Sequence, residues 1–356
     1  MKIQFSENDT TKIVRSESYN YNFNKVNGQF ARWGKTYLED PIMAPFPEIM
    51  DIEVSEICNG VPDKSGIEKP CRFCYKSNTK SGRNMSLSLF KKIIDKTLID
   101  GKHSFLTQIA FGADAKAKSN PELFDMMDYA KSKGIISNIT VANLDEITAK
   151  RLSISCGAVS VSRYENKDIC YNSVKRLTDN GLRQVNIHVM LSVETMHLVK
   201  ETLLDYKTDS RLEKLNAIVI LSLKKKGRGV GYSRVSQDQF KELVDYSLSN
   251  SIPIGFDSCS FPKFEYSVRN DPNYKELMMM SEPCESTLFS QYVNVEGKFY
   301  SCSFCENSES FPTGLDIANC SDFIKDVWFH PTTVLWRNAL LAKREQNDFS
   351  CPVYEV

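Results

Sequence analysis

The chain has no excess of charge of either sign: 45 basic and 45 acidic residues leave a formal net charge of zero. That balance offers no electrostatic case for duplex nucleic acid or an acidic membrane surface, and neither is expected as a partner. No apolar run approaches the roughly 18 residues of a membrane span. The opening Met1-Lys2-Ile3-Gln4-Phe5 lacks the apolar stretch of a secretory signal. A soluble, cytoplasmic protein is therefore expected. Neither GxSxG nor a GxxxxGKS/T phosphate loop occurs, and the four histidines (His103, His188, His197 and His330) are scattered outside any nucleophile motif. Low-complexity tracts and long internal repeats are also missing.

What the chain does have is cysteine, eleven in all. A reducing compartment makes a large disulfide framework a poor explanation for them. Cys156 and Cys170 stand apart from any ligand-like neighbour and read as small core residues. The others gather in two sets. Cys58, Cys71 and Cys74 follow a strand-like stretch, and three thiolates can hold three irons of a 4Fe-4S cluster while the fourth iron stays open. Cys259, Cys284, Cys302 and Cys305 could close a second cluster completely. Zinc is the competing occupant, since C-x2-C pairs also build tetrahedral all-cysteine sites. It suits the later quartet better than the earlier three, which have no histidine nearby to supply a fourth ligand.

Three regions follow from the pattern. Residues 1–46 read as an irregular polar extension, with a possible hairpin from Tyr19 to Trp33 around Asn27-Gly28. Residues 47–250 alternate strand-like and helix-like stretches. The strands fall at Ile49–Val54, Phe105–Phe111, Ile136–Val141, Ala158–Val161, Gln184–Leu191 and Ala217–Leu223. Repeated βα units imply parallel strands with right-handed crossovers, so the expected fold is α/β, a partial (β/α)6 barrel with chemistry at the strands' carboxyl ends. Residues 251–356 lose that rhythm. They form the expected small cysteine-rich module, with a hairpin across Tyr292–Tyr300 delivering Cys302 and Cys305, and a helix across Phe323–Ala342 broken at Pro331.

Cys58, Cys71 and Cys74, with Phe73 inside the last pair, resemble the radical S-adenosylmethionine (SAM) superfamily, whose pattern is C-x3-C-x-aromatic-C. This chain departs from it by placing twelve residues, Asn59 to Pro70, between the first two cysteines. Pro62, Gly66 and Pro70 allow that insertion to loop out. Gly112 and Asp114, after the second strand, resemble the family's glycine-rich stretch that meets the amino group of SAM. Cys284, twelve residues, Gly297, four residues and Cys302 are similar to the opening of the SPASM and twitch auxiliary-cluster domains.

The resemblance implies SAM on a three-cysteine 4Fe-4S cluster (Cys58, Cys71, Cys74), with Phe73, Tyr75, Gly112, Asp114, Ser162, Arg163 and His188 around the cofactor. It also implies a second 4Fe-4S cluster on Cys259, Cys284, Cys302 and Cys305, with Cys351 as substitute and Cys320 structural. Reductive cleavage of SAM would yield a 5′-deoxyadenosyl radical that removes hydrogen from a substrate carbon. Modification of a peptide or protein is the leading expectation, with a small molecule as the other substrate class. A reductant such as flavodoxin or ferredoxin and a separate peptide-recognition protein are the implied partners. Asp114, Arg163, Asp257 and Tyr300, with Glu165, are candidates for acid–base work. Two alternatives stay open: a nucleotide or sugar-phosphate substrate held by Lys224-Lys225-Lys226-Gly227-Arg228-Gly229, and a non-catalytic zinc or iron–sulfur scaffold.

Overall fold

The computed structural model of the protein describes residues 3–63, 65–309, 311–354 and 356; Met1, Lys2 and Lys64 of the stretches discussed above lie outside them. The amino-terminal extension is not irregular. It forms a four-stranded antiparallel sheet of β1 (Gln4–Glu7), β2 (Thr11–Arg15), β3 (Asn20–Asn24) and β4 (Phe30–Trp33), paired in chain order. A buried cation hid this sheet from the apolar pattern. Lys12 points inward from β2 and donates to the carbonyls of Ser104 (2.9 Å) and Leu106 (2.6 Å). Tyr21 reaches the Phe105 carbonyl, so the sheet is docked where the barrel's second strand begins.

The barrel starts with β5 (Ile49–Glu53), followed by a small ribbon of β6 (Val61–Pro62) and β7 (Glu68–Lys69). Helices and strands then alternate: α1 (Leu87–Asp95), β8 (Gln108–Gly112), α2 (Leu123–Ser132), β9 (Ile136–Val141), α3 (Glu146–Ser155), β10 (Cys156–Arg163) and α4 (Lys167–Asp179). The series continues with β11 (Gln184–Leu191), α5 (Met196–Asp205), β12 (Ala217–Ser222), α6 (Gln237–Ser249) and β13 (Ile254–Phe256). The remaining elements are α7 (Phe261–Val268), α8 (Tyr274–Met279), β14 (Ser290–Val293), β15 (Lys298–Tyr300), β16 (Leu315–Asp316) and α9 (Pro331–Glu345). Pro331 opens α9 at its first turn, where its missing N–H costs nothing.

One ten-stranded sheet runs β13-β12-β11-β10-β9-β8-β5-β14-β15-β16. Pairing is parallel from β13 to β14 and antiparallel beyond, and the two ends are different strands, so the barrel is partial. The parallel run therefore continues past residue 250, into β13 and then β14. Along β11 the burial alternates strictly, with Val185, Ile187, Val189 and Leu191 packed under the helices. The opposite face carries Asn186 and His188. A core of helices covers one face of the sheet, and the other encloses a cavity. Among the described residues, no helix is long and apolar enough to cross a membrane.

Candidate functional site

The ends of the parallel strands converge on a cavity of about 490 Å³. Cys58, Cys71 and Cys74 line it together with Phe73, Tyr75, Gly112, Asp114, Ser162, Arg163 and His188. Register explains part of this convergence: Glu53 pairs with Gly112 across β5 and β8, and Ser162 pairs with His188 across β10 and β11.

The twelve-residue insertion folds back on itself. Val61 pairs with Lys69 and Pro62 with Glu68, which returns Cys71 to the neighbourhood of Cys58. Gly60 permits the crossing: its φ is +80°, and a Cβ there would sit 1.8 Å from the Lys69 carbonyl oxygen. The Cys58 sulfur accepts a hydrogen bond from the Gly60 N–H at 3.4 Å. Burial holds the Tyr164 hydroxyl well above its ordinary range, and its ring stacks on Phe73 with centroids 5.8 Å apart. A second cavity, of about 440 Å³, lies between the insertion and the loops after β10 and β11, and it shares Cys71, Phe73, Ser162 and Tyr164 with the first.

Several candidates occupy other roles. Arg163 is buried on the same pleat face as Val159 and Val161, so its guanidinium turns away from the cavity, pairs with Glu201 and covers the Tyr171 ring. The Asp114 carboxylate is taken up by the backbone N–H groups of Lys116, Lys118 and Ser119, at 2.8–3.0 Å, and shapes the loop after β8. Tyr300 packs beside Phe311 in the carboxyl-terminal module, and Asp257 pairs with Lys224; neither lines the first cavity. Glu165 lies on the rim of the second cavity opposite His197.

Asp51 is a cavity residue that the sequence reading passed over. Its carboxylate opens into the cavity and has no hydrogen-bond or ion-pair partner among the described residues. Burial, reinforced by the Glu285 charge, pushes it up to about 6. Glu53, two residues on, faces the same side and pairs with Lys76 at 3.0 Å; Lys76 also meets Tyr292 and Glu306. Acids at alternate positions of Ile49–Glu53 were the available signal. His188 is desolvated and held down to about 4, so it is neutral in the cavity wall near neutral pH.

The second set of cysteines gathers from distant segments. Cys259 follows β13, Cys284 precedes β14, Cys302 and Cys305 follow β15 with sulfurs 3.4 Å apart, and Cys351 comes from the tail after α9. The thiol of Cys259 feels those of Cys284, Cys302 and Cys351. Cys320 lies elsewhere, with Lys96 and acidic neighbours.

The lysine-rich segment after β12 ties both sets together. Lys226 donates to the carbonyls of Phe304 and Glu306, each at 2.9 Å, while the Arg228 side chain reaches the Cys71 carbonyl at 2.8 Å and its N–H the Cys74 carbonyl at 3.0 Å. Lys224 is buried against Asp257. Of these cations only Lys225 is exposed, which removes the basis for a phosphate-binding loop.

The donor chemistry fits iron–sulfur occupants. Both sets present cysteine sulfur, and at the first no fourth protein donor joins the three among the described residues. Among the described residues, no three His, Cys, Asp or Glu side chains converge tightly enough for a single bare ion. A four-iron cluster spreads its thiolates over separate irons. Burial raises Cys71, Cys259 and Cys284 to about 12, so each stays protonated until a metal displaces the proton.

No protein-family model matches the chain, and no curated protein matches its sequence. Its fold does match solved structures. Streptococcus suis SuiB bound to precursor peptide SuiA superposes with a TM-score of 0.68 at 14% identity, covering 94% of this chain and 90% of that one. SuiB bound to S-adenosylmethionine gives 0.58 at 15% identity, covering 82% and 68%. The chain thus has the fold of SuiB over nearly its whole length.

Proposed function

We propose that the protein is a radical SAM enzyme that modifies a peptide. The observation that carries this reading is the cavity where Cys58, Cys71 and Cys74 meet Phe73, Gly112, Ser162 and His188 at the carboxyl ends of the strands. The fold shared with SuiB, which has been solved with S-adenosylmethionine and with a precursor peptide, supports both the cofactor and the substrate class.

In this reading Cys58, Cys71 and Cys74 hold the first cluster. Cys259, Cys284, Cys302 and Cys351 hold a second, Cys351 taking the place expected for Cys305. When bound, the cluster and SAM supply an electron and a carbon-centred radical that takes a hydrogen atom from the substrate. The chain's own residues bind, orient and exclude water. Phe73, Tyr164 and Met190 give the cavity apolar walls, neutral His188 adds no charge, and Gly112 lets the backbone approach a ligand. Asp51 faces the cavity, its carboxylate suited to a cationic or hydrogen-bond-donating substrate group. A flavodoxin or ferredoxin would deliver the electron, and a separate recognition protein could present the peptide.

Iron and sulfide content of anaerobically purified protein, with 5′-deoxyadenosine formation from SAM and dithionite, tests this reading. About eight irons in the parent, about four in a Cys58/Cys71/Cys74 triple-alanine variant, and product only from the parent are expected. Zinc without iron would favour the scaffold.

A further inference from the structure

Lys224 is a barrel residue placed inside the module's cysteine site. It follows β12, is almost wholly buried, and pairs with Asp257 after β13. Its ammonium lies 5.1 Å from the centroid of Phe304, between Cys302 and Cys305. Its partner Asp257 stands two residues before Cys259, so the Lys224 ammonium sits between that segment and the loop that carries Cys302 and Cys305.

A buried ammonium is costly unless compensated. Asp257 supplies one negative charge and is itself held, its Oδ1 accepting from the Ser222 N–H at 3.1 Å and from the Ser260 hydroxyl. A neutral Lys–Asp pair alone gives no reason for further cations around it. Yet Lys226 donates to the carbonyls of Phe304 and Glu306, in the loop that carries Cys302 and Cys305, and Arg344 of α9 donates to the Cys284 carbonyl at 2.6 Å. Cations from two separate elements therefore stand against the segments that carry these cysteines. Such surroundings suit an anion, and a cluster bound entirely by thiolates is an anion that gains a further negative charge on reduction.

We infer that Lys224 is a positioning residue for the second cluster: its ammonium offsets the charge added on reduction and so raises the reduction potential. Asp257 opposes it and keeps the ammonium in place. Net charge close to a cluster is among the main determinants of its potential. The inference rests on reading this site as an iron–sulfur cluster.

The test is an EPR-monitored redox titration of anaerobic, iron-loaded protein, with iron and sulfide counted in every sample. Lys224→Met should make reduction of the second cluster at least tenfold less favourable, a shift of about 59 mV to lower potential for one electron. Lys224→Arg should restore most of the parent value. The first cluster should be unmoved in both. A Lys224→Met protein with full iron and an unshifted second potential overturns the inference and leaves the cluster reading standing. A parent with no second cluster overturns both. If Lys224→Met loses that cluster, Asp257→Asn decides: a higher potential supports the inference, and an unchanged one overturns it.

Discussion

Tyr75 and Phe304 meet ring to ring, with centroids 4.5 Å apart and planes inclined at 41°. Each sits beside a different set of cysteines, Tyr75 next to Cys74 and Phe304 between Cys302 and Cys305. Tyr75 and Ser303 also line the same cavity, so the two cysteine loops share one packed contact. Aromatic pairs of this kind contribute about 0.5–1.5 kcal/mol beyond buried area. A double-mutant cycle of Tyr75→Leu and Phe304→Leu, followed by urea unfolding, should return a coupling of that size; additive losses would mean that the loops are not joined there.

Gly227 stands at the crossing between the segment after β12 and the first cysteine loop. Its φ is +56°, and a Cβ would lie 2.4 Å from the Tyr75 carbonyl oxygen and 2.6 Å from that of Cys74. Gly227→Ala should destabilise the protein by about 1–3 kcal/mol and loosen iron at the first site. Gly231→Ala is the matched control. It has nothing within 4 Å and no positive φ, so thermal unfolding should change by less than about 0.5 kcal/mol.

Asp51 should matter to turnover and not to cluster assembly. Asp51→Asn is expected to retain the parent's iron while losing about tenfold or more in product formation. Because the carboxyl is raised to about 6, the parent's rate should fall as pH drops through that value and the carboxylate is neutralised. The Asn variant should lack this limb of the pH–rate profile; a limb that persists assigns it to another group.

His188 sets a pH dependence of stability. Its folded value, about 4, lies below the unfolded 6.5 because burial disfavours the imidazolium. Between those values the unfolded chain binds more protons, so stability declines as pH falls from 6.5 towards 4. The decline should amount to about 1–3 kcal/mol, since each unit of displacement corresponds to about 1.4 kcal/mol. His188→Asn, compared with the parent in denaturant titrations across that window, should show a shallower slope.

The six barrel strands were legible because apolar residues alternate or run together between turn signals, and the cysteine pairs because C-x2-C spacing is rare outside metal and redox sites. Asp51 is hard to single out in sequence because Ile49–Glu53 reads as a strand leading to Cys58, and which of its residues share the inner face depends on the packing of the sheet. Arg163 borders the cavity, while its parity with Val159 and Val161 brings the guanidinium to Glu201. Lys12 concealed β2 because a lysine satisfied by two carbonyls looks polar in sequence and behaves as core in the fold. Lys224, Lys226 and Arg228 read as an exposed cationic loop because their partners, chiefly backbone carbonyls, Asp257 and sulfur, come from segments far away in the chain. Cys351 carries no local motif, and only the packing of the tail brings it to the other thiols.

β5 is hydrogen-bonded on one side to β8 and on the other to β14, a strand contributed almost 240 residues later. Truncating the chain at residue 250 would strip one flank from Ile49–Glu53 and leave its N–H and C=O groups facing outward in the middle of what had been a continuous sheet. Such open edges recruit other chains. The barrel cannot be excised as a well-behaved fragment: a shortened version should self-associate, and the strand that carries Asp51 and Glu53 would be the first to lose its register.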